Sequence, residues 1–138
     1  MIDLSTQYGP FCLKSPLIVS SSGLTSSPER IKKMAQAGAG AVVLKSLFEE
    51  QIRYEISSLS ASSDYPEAGD YLRTYARENS LEDYLSVIKW AKDLVNIPVI
   101  ASINCVKADE WISFAEKIEQ AGADGIELNI YFLPIDKD

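Results

Sequence analysis

The feature that most restricts the fold is an internal echo. PLIVS at Pro16–Ser20 reappears as PVIAS at Pro98–Ser102, and QAGAGAVVLK at Gln36–Lys45 reappears as QAGADGIELN at Gln120–Asn129. Each copy runs from a short apolar segment through a helical stretch and a glycine turn to a second apolar segment. The copies are too degenerate to establish duplication, but they describe one unit, β-α-β, used twice.

The run Leu17–Val19 is short, β-branched and free of period-2 alternation, which suits a strand covered on both faces. Ala41–Leu44, Pro98–Ile103 and Gly125–Ile130 supply three more strands. Ser26 and Glu29 form a capping-box pattern with Pro28 in the first turn, and Ile31, Met34 and Ala35 continue at helical spacing to a stop at Gly38. A second helix is predicted from Ser80, with Asp83 three residues on and a stripe of Leu81, Tyr84, Leu85, Ile88 and Ala91, ending before Pro98. Trp111, Phe114, Ala115 and Ile118 mark a third, stopped by Gly122.

Right-handed crossovers between strands that keep advancing in one direction leave every helix on one side of the sheet, and that path curls toward a barrel. Gly38 and Gly40 follow a helix and precede a strand, the wrong context for a dinucleotide-binding turn. The expected fold is therefore α/β: the N-terminal half of a (β/α)8 TIM barrel, with four parallel strands and three connecting helices over residues 16–130. Residues 1–15, which contain Gly9-Pro10, read as a short hairpin or a lid over one end. Residues 48–79, rich in Ser, Tyr and acidic side chains, read as a long excursion, either over the strand-end face or as a mobile surface insertion. A closed barrel needs about 250 residues, and half of one exposes two sheet edges and its inner layer. A truncated chain is the expectation, with association into a homo-oligomer such as a dimer, or a fragment serving only as an assembly module, as alternatives.

Composition narrows the function. A formal net charge of -7 disfavours nucleic acid or a membrane surface, which call for a concentrated basic field, while backbone N–H groups can still bind a small anion. The absence of histidine removes the main residue of the usual zinc, haem and Ser/His sites, and no metal is expected. The two cysteines, Cys12 and Cys105, form no CxxC pair, and two thiols in a reducing compartment are expected over a disulfide. With no basic leader and no bilayer-length apolar run, the expected location is cytoplasmic.

Ligands of parallel α/β folds sit at the carboxyl ends of strands. The first end offers Ser20, Ser21, Ser22 and Gly23, either a close-approach turn for a ring or phosphate or an ordinary hydroxyl-rich βα turn. At the second, Lys45 and Ser46 follow an apolar run; the lysine pairs with a ligand anion or with Glu49 or Glu50. The third end has Ser102, Asn104 and Cys105, the thiol being a small core residue or a catalytic group. The fourth has Glu127 and Asn129, at i and i+2 on one side of their strand. The Asn129 amide suits the donor and acceptor edge of a flavin or pyrimidine, or else ties strand ends together. No general acid or base stands out; without histidine it would have to be Cys105, a carboxylate, Lys45, a tyrosine or a group in the missing half of the barrel.

At these ends the sequence resembles the class 1 dihydroorotate dehydrogenase and dihydropyrimidine dehydrogenase group. The stretches are SPLIVSSSGLT at Ser15–Thr25, GAGAVVLKSL at Gly38–Leu47, PVIASINC at Pro98–Cys105 and GADGIELNIYFLP at Gly122–Pro134, in family order. The resemblance implies an FMN-containing barrel that passes a hydride between the flavin and dihydroorotate or a related dihydropyrimidine. By the same resemblance Ser21, Ser22 and Gly23 match the turn against FMN, and Lys45 and Ser46 the pair at flavin and substrate. Ser102 falls where some members have an asparagine near the flavin, and Asn129 matches the asparagine of the N-x-S-C-P-N segment, at flavin and substrate.

Two departures stand against this. Phe132 occupies the place of the class 1 catalytic cysteine and cannot abstract a proton, so the catalytic residue is unassigned. The family's asparagine-rich substrate loop has no counterpart between Phe48 and Asn79. The expectations are thus an FMN-dependent oxidoreductase when intact, inactive in these 138 residues alone, or a non-catalytic flavin or small-ligand binding protein descended from such enzymes.

Overall fold

The structure is a computed structural model and describes residues 2–49, 68–105 and 108–130. It opens with a hairpin, β1 (Thr6–Tyr8) antiparallel to β2 (Phe11–Leu13), turning at Gly9 with φ 54°. There follow β3 (Ile18–Val19), a 3-10 turn (Gly23–Thr25), α1 (Pro28–Gln36), β4 (Ala41–Val43), β5 (Leu47–Phe48), α2 (Ala68–Leu94), β6 (Val99–Asn104), α3 (Ala108–Gln120) and β7 (Gly125–Leu128).

The main sheet runs β3-β4-β6-β7, every pair parallel and each strand beside its predecessor. Four parallel strands flanked by three helices form a partial (β/α) barrel-like arrangement, as the echo predicts. Both QAGA turns are Schellman motifs. Gly38 and Gly122 take φ of 102° and 92°, and the next N–H in each reaches back five residues, Ala39 to Met34 O at 3.1 Å and Ala123 to Ile118 O at 3.3 Å.

Side chains alternate across β6. Val99, Ala101 and Ile103 join Val42, Leu44, Ile31, Ile88, Phe114 and Ile118 in the core under the helices, while Ile100, Ser102 and Asn104 line the opposite face. Each fully buried Ile, Leu or Phe contributes about 1.5–3 kcal/mol, so the three helical stripes, rather than helix propensity, hold this layer. The hairpin closes the end where strands begin. The Phe11 ring lies 3.2 Å from where a Cβ on Gly125 would stand, and a Cβ on Gly40 would meet the Ser15 carbonyl. That contact explains why Gly40 breaks the echo at the position of Asp124, whose carboxylate instead accepts from Val99 N–H at 2.8 Å and pairs with Lys92 at 2.7 Å.

Three local expectations change. The capping box is made by Ser22 and Thr25 on the 3-10 turn, and Ser27, not Ser26, is the N-cap of α1. Helix α2 begins by Ala68, so Ser80 lies inside it rather than capping it. The second strand continues past Leu44 as β5, which also pairs with β6. Glu50, the greater part of the 48–79 excursion and Phe132 lie outside the described residues. Among the described residues no helix is long and apolar enough to cross a membrane. Cys12 is exposed and Cys105 buried, and the two are not joined in a disulfide.

Candidate functional site

The β4–β5 edge carries a bulge. Val42 lies opposite Val99 and Leu47 opposite Ile103, five steps along one strand against four along the other. The extra residue falls between Leu44, whose N–H still reaches Ile100 O at 2.8 Å, and Leu47; Lys45 and Ser46 therefore sit on the bulge. Bulges re-aim side chains and interrupt the ladder. Here Lys45 is exposed whereas Ser46 is buried.

The interruption leaves the Ser102 backbone in need of partners, and a helix supplies one. The Tyr84 hydroxyl accepts from Ser102 N–H at 2.8 Å and donates to Ser102 C=O at 3.1 Å. Burial pushes the Tyr84 phenol well above its ordinary value, and the Glu127 charge adds to the rise against the opposing backbone bond.

On the face away from the helices, four strand ends meet in one polar seam. Ser21 Oγ lies 3.0 Å from Ser46 Oγ and accepts from Ser46 N–H at 3.0 Å. Ser46 Oγ lies 2.7 Å from Ser102 Oγ, and Ser102 donates to Glu127 Oε1 at 2.7 Å. Asn129 Nδ2 donates to Ser46 Oγ at 2.9 Å, and Asn104 Nδ2 donates to the Asn129 carbonyl at 2.6 Å.

Proton counting fixes the direction of these bonds, because a hydroxyl has one proton and two lone pairs. A Glu127 carboxylate only accepts, so Ser102 donates to it and accepts from Ser46. Ser46 has then spent its proton and accepts from both Ser21 and Asn129. Ser46 and Ser102 are engaged by their neighbours, and half-buried Ser21, Glu127 and Asn129 are what a ligand on this face meets.

The sequence-derived residues thus divide. Ser21, Ser46, Ser102 and Asn129 come together. Ser22 caps the 3-10 turn, and Gly23 is exposed with nothing within 4 Å of a Cβ placed on it. Lys45 instead borders a cleft of about 240 Å³ between the bulge, Thr25 and the Tyr84 side of α2. Ligand sites run to roughly 300–1,000 Å³, so this cleft takes a side arm rather than a whole mononucleotide. Cys105 packs in the core cluster under the helices. The sequence places Tyr84 only on a helix stripe and Glu127 only at a strand end, with no specific partner for either. The signal for Glu127 was a carboxylate in an otherwise apolar parallel strand, which must find donors.

No family model matches the sequence. Among curated proteins the chain is 30% identical over 137 residues to the catalytic subunit of dihydroorotate dehydrogenase B (NAD(+)) of Thermoplasma volcanium, covering 94% of this chain and 42% of that protein. The corresponding subunit of Thermoplasma acidophilum is 29% identical over 132 residues, with 94% and 42% covered. A putative dihydroorotate dehydrogenase A (fumarate) of Aeropyrum pernix is 27% identical over 130 residues, with 93% and 41% covered. The chain is a distant homologue of dihydroorotate dehydrogenase proteins along most of its length, and it spans less than half the length of these relatives.

Proposed function

We propose that the chain forms part of the flavin face of an FMN-dependent oxidoreductase of the dihydroorotate dehydrogenase type, one that passes a hydride between the flavin and a dihydropyrimidine such as dihydroorotate. The observation that carries this reading is the meeting of four strand ends in one polar seam, within a sequence that parallels dihydroorotate dehydrogenases along nearly all its length.

Groups at these strand ends suit the chemistry of a flavin. The open backbone at Gly23 admits a flat ring, the Lys45 ammonium suits an electron-rich edge, and the Asn129 amide offers donor and acceptor. Ser21, Ser22, Gly23, Lys45 and Asn129 would hold the group, with Lys45 and Asn129 also facing substrate. Ser46 and Ser102 would stand behind them, fixing the orientation of Asn129. Bound FMN would supply the hydride acceptor. The protein's setting is taken to be the cytoplasm, where Cys12 and Cys105 persist as thiols.

A second reading, a flavin or small-ligand binding protein without turnover, is favoured by Phe132 in the place of the cysteine that removes the substrate proton in class 1 enzymes. Anaerobic mixing of the FMN-loaded protein with dihydroorotate and other dihydropyrimidines separates the two. Bleaching of the flavin absorbance supports the oxidoreductase, bound flavin that never bleaches supports the binding protein, and failure to take up FMN overturns both. For the 138-residue chain itself we expect weak FMN affinity and little or no turnover.

A further inference from the structure

We propose that the seam is a proton relay that carries a proton from Ser21, at the strand-end face, to Glu127. The O···O separations along it are 3.0, 2.7 and 2.7 Å, the inner two at the optimum for O–H···O bonds and the first at the long end of their range. Its two middle hydroxyls are sequestered, Ser102 fully and Ser46 at 9% exposure, while Ser21 and Glu127 are half-buried and reachable from outside. Two accessible ends joined through two buried hydroxyls, with every donor pointing the same way, form a conducting path.

The transfer balances without an oxidant. A carbon or nitrogen acid X–H at Ser21 gives its proton to Ser21 Oγ and keeps the bonding electron pair. Ser21 passes its own proton to Ser46 Oγ, Ser46 to Ser102 Oγ, and Ser102 to Glu127 Oε1, which becomes a neutral acid. Three hydroxyl O–H bonds break and three form. Every bond in the row then points the other way, and the Ser21 hydroxyl faces outward as a donor. Asn129 and the Ser46 N–H keep their bonds in both states, so the framework does not move.

Among the described residues the ionisable surroundings of Glu127 are few. Strand β6 carries none, α2 contributes Tyr84, which feels the Glu127 charge, and Asp124 ahead of β7 is held by Lys92. Lys45 is exposed at the bulge, and Glu116 and Glu119 of α3 lie in the groove on the helix side of the sheet. The relay does not depend on which ligand supplies the proton, and its test needs neither flavin nor turnover.

The test is NMR titration of the 138-residue chain, carrying 13C at the Glu side-chain carboxyl and at Ser Cβ. The Cβ shifts of Ser21, Ser46 and Ser102 should follow the Glu127 carboxyl with one shared midpoint. Glu127→Gln keeps an acceptor oxygen but cannot titrate, and should flatten all three serine curves. Ser102→Ala should leave Glu127 titrating and remove its echo at Ser21 and Ser46. A Ser21 shift that ignores Glu127 in the wild-type chain, or still titrates at the Glu127 midpoint in Glu127→Gln, overturns the relay. The Gln variant decides the matter should Ser102→Ala fail to fold.

Discussion

The Tyr84 hydroxyl sits in the hydrogen-bond ladder of the sheet, accepting from the Ser102 N–H at 2.8 Å and donating to the Ser102 carbonyl at 3.1 Å. A helix side chain therefore mends the break made by the bulge at Lys45 and Ser46, and both halves of the site depend on it.

Tyr84→Phe should leave two buried backbone groups without partners. Each unsatisfied group costs about 1–3 kcal/mol, so a loss of roughly 2–6 kcal/mol is expected in urea unfolding, together with faster amide exchange at Ser102. The phenol is pushed up in the folded state, while in the unfolded chain it titrates near its usual value of about 10. Its contribution is therefore complete below pH about 10 and is lost as pH climbs toward the folded-state value, by at most about 1.4 kcal/mol per pH unit. This alkaline slope should be shallower in Tyr84→Phe; equal slopes in the two proteins would contradict the assignment.

Two glycines should respond differently to the same methyl group. Gly40→Ala drives a Cβ into the Ser15 carbonyl, a backbone atom that cannot swing away, and should lower stability by more than about 2 kcal/mol. Gly23→Ala meets nothing within 4 Å and should leave the thermal midpoint unchanged, while narrowing the approach to the strand-end turn. Matched losses of stability would contradict the placement of the hairpin linker against Gly40.

The outer edges of β3 and β7 have no partner strand among the described residues, and exposed Leu17 and Leu128 lie beside them. Unpaired edges with apolar neighbours recruit other strands. Light scattering after size exclusion should give a mass that rises with loading concentration, and Leu17→Lys with Leu128→Lys should reduce it. A concentration-independent monomer would contradict this.

Much of the fold was legible because its signals are local. Gly38 and Gly122 mark helix ends by chemistry that requires positive φ, and the stripes of Ile31, Ile88, Phe114 and Ile118 show which helix faces are buried. The bulge was not legible, since it exists only as a mismatch between the steps of two strands far apart in sequence. Lys45 and Ser46 were identified as a pair, yet that mismatch sends one into solvent and the other into the seam. The resemblance sets Ser46 and Ser102 at or near the flavin. Their hydroxyls are consumed by each other, by Ser21, Asn129 and Glu127, a count that needs the three-dimensional neighbours. Tyr84 read as one apolar position in a helix, because periodicity reports the ring and says nothing of the hydroxyl.

The most direct test of the flavin face is a fluorescence titration of FMN with the 138-residue chain, repeated with Lys45→Ala and Gly23→Ala. Weak but saturable quenching is predicted, with the dissociation constant raised at least about tenfold, or roughly 1.4 kcal/mol, in each variant while both remain folded. No saturable quenching, or quenching of equal strength in all three proteins, would contradict it.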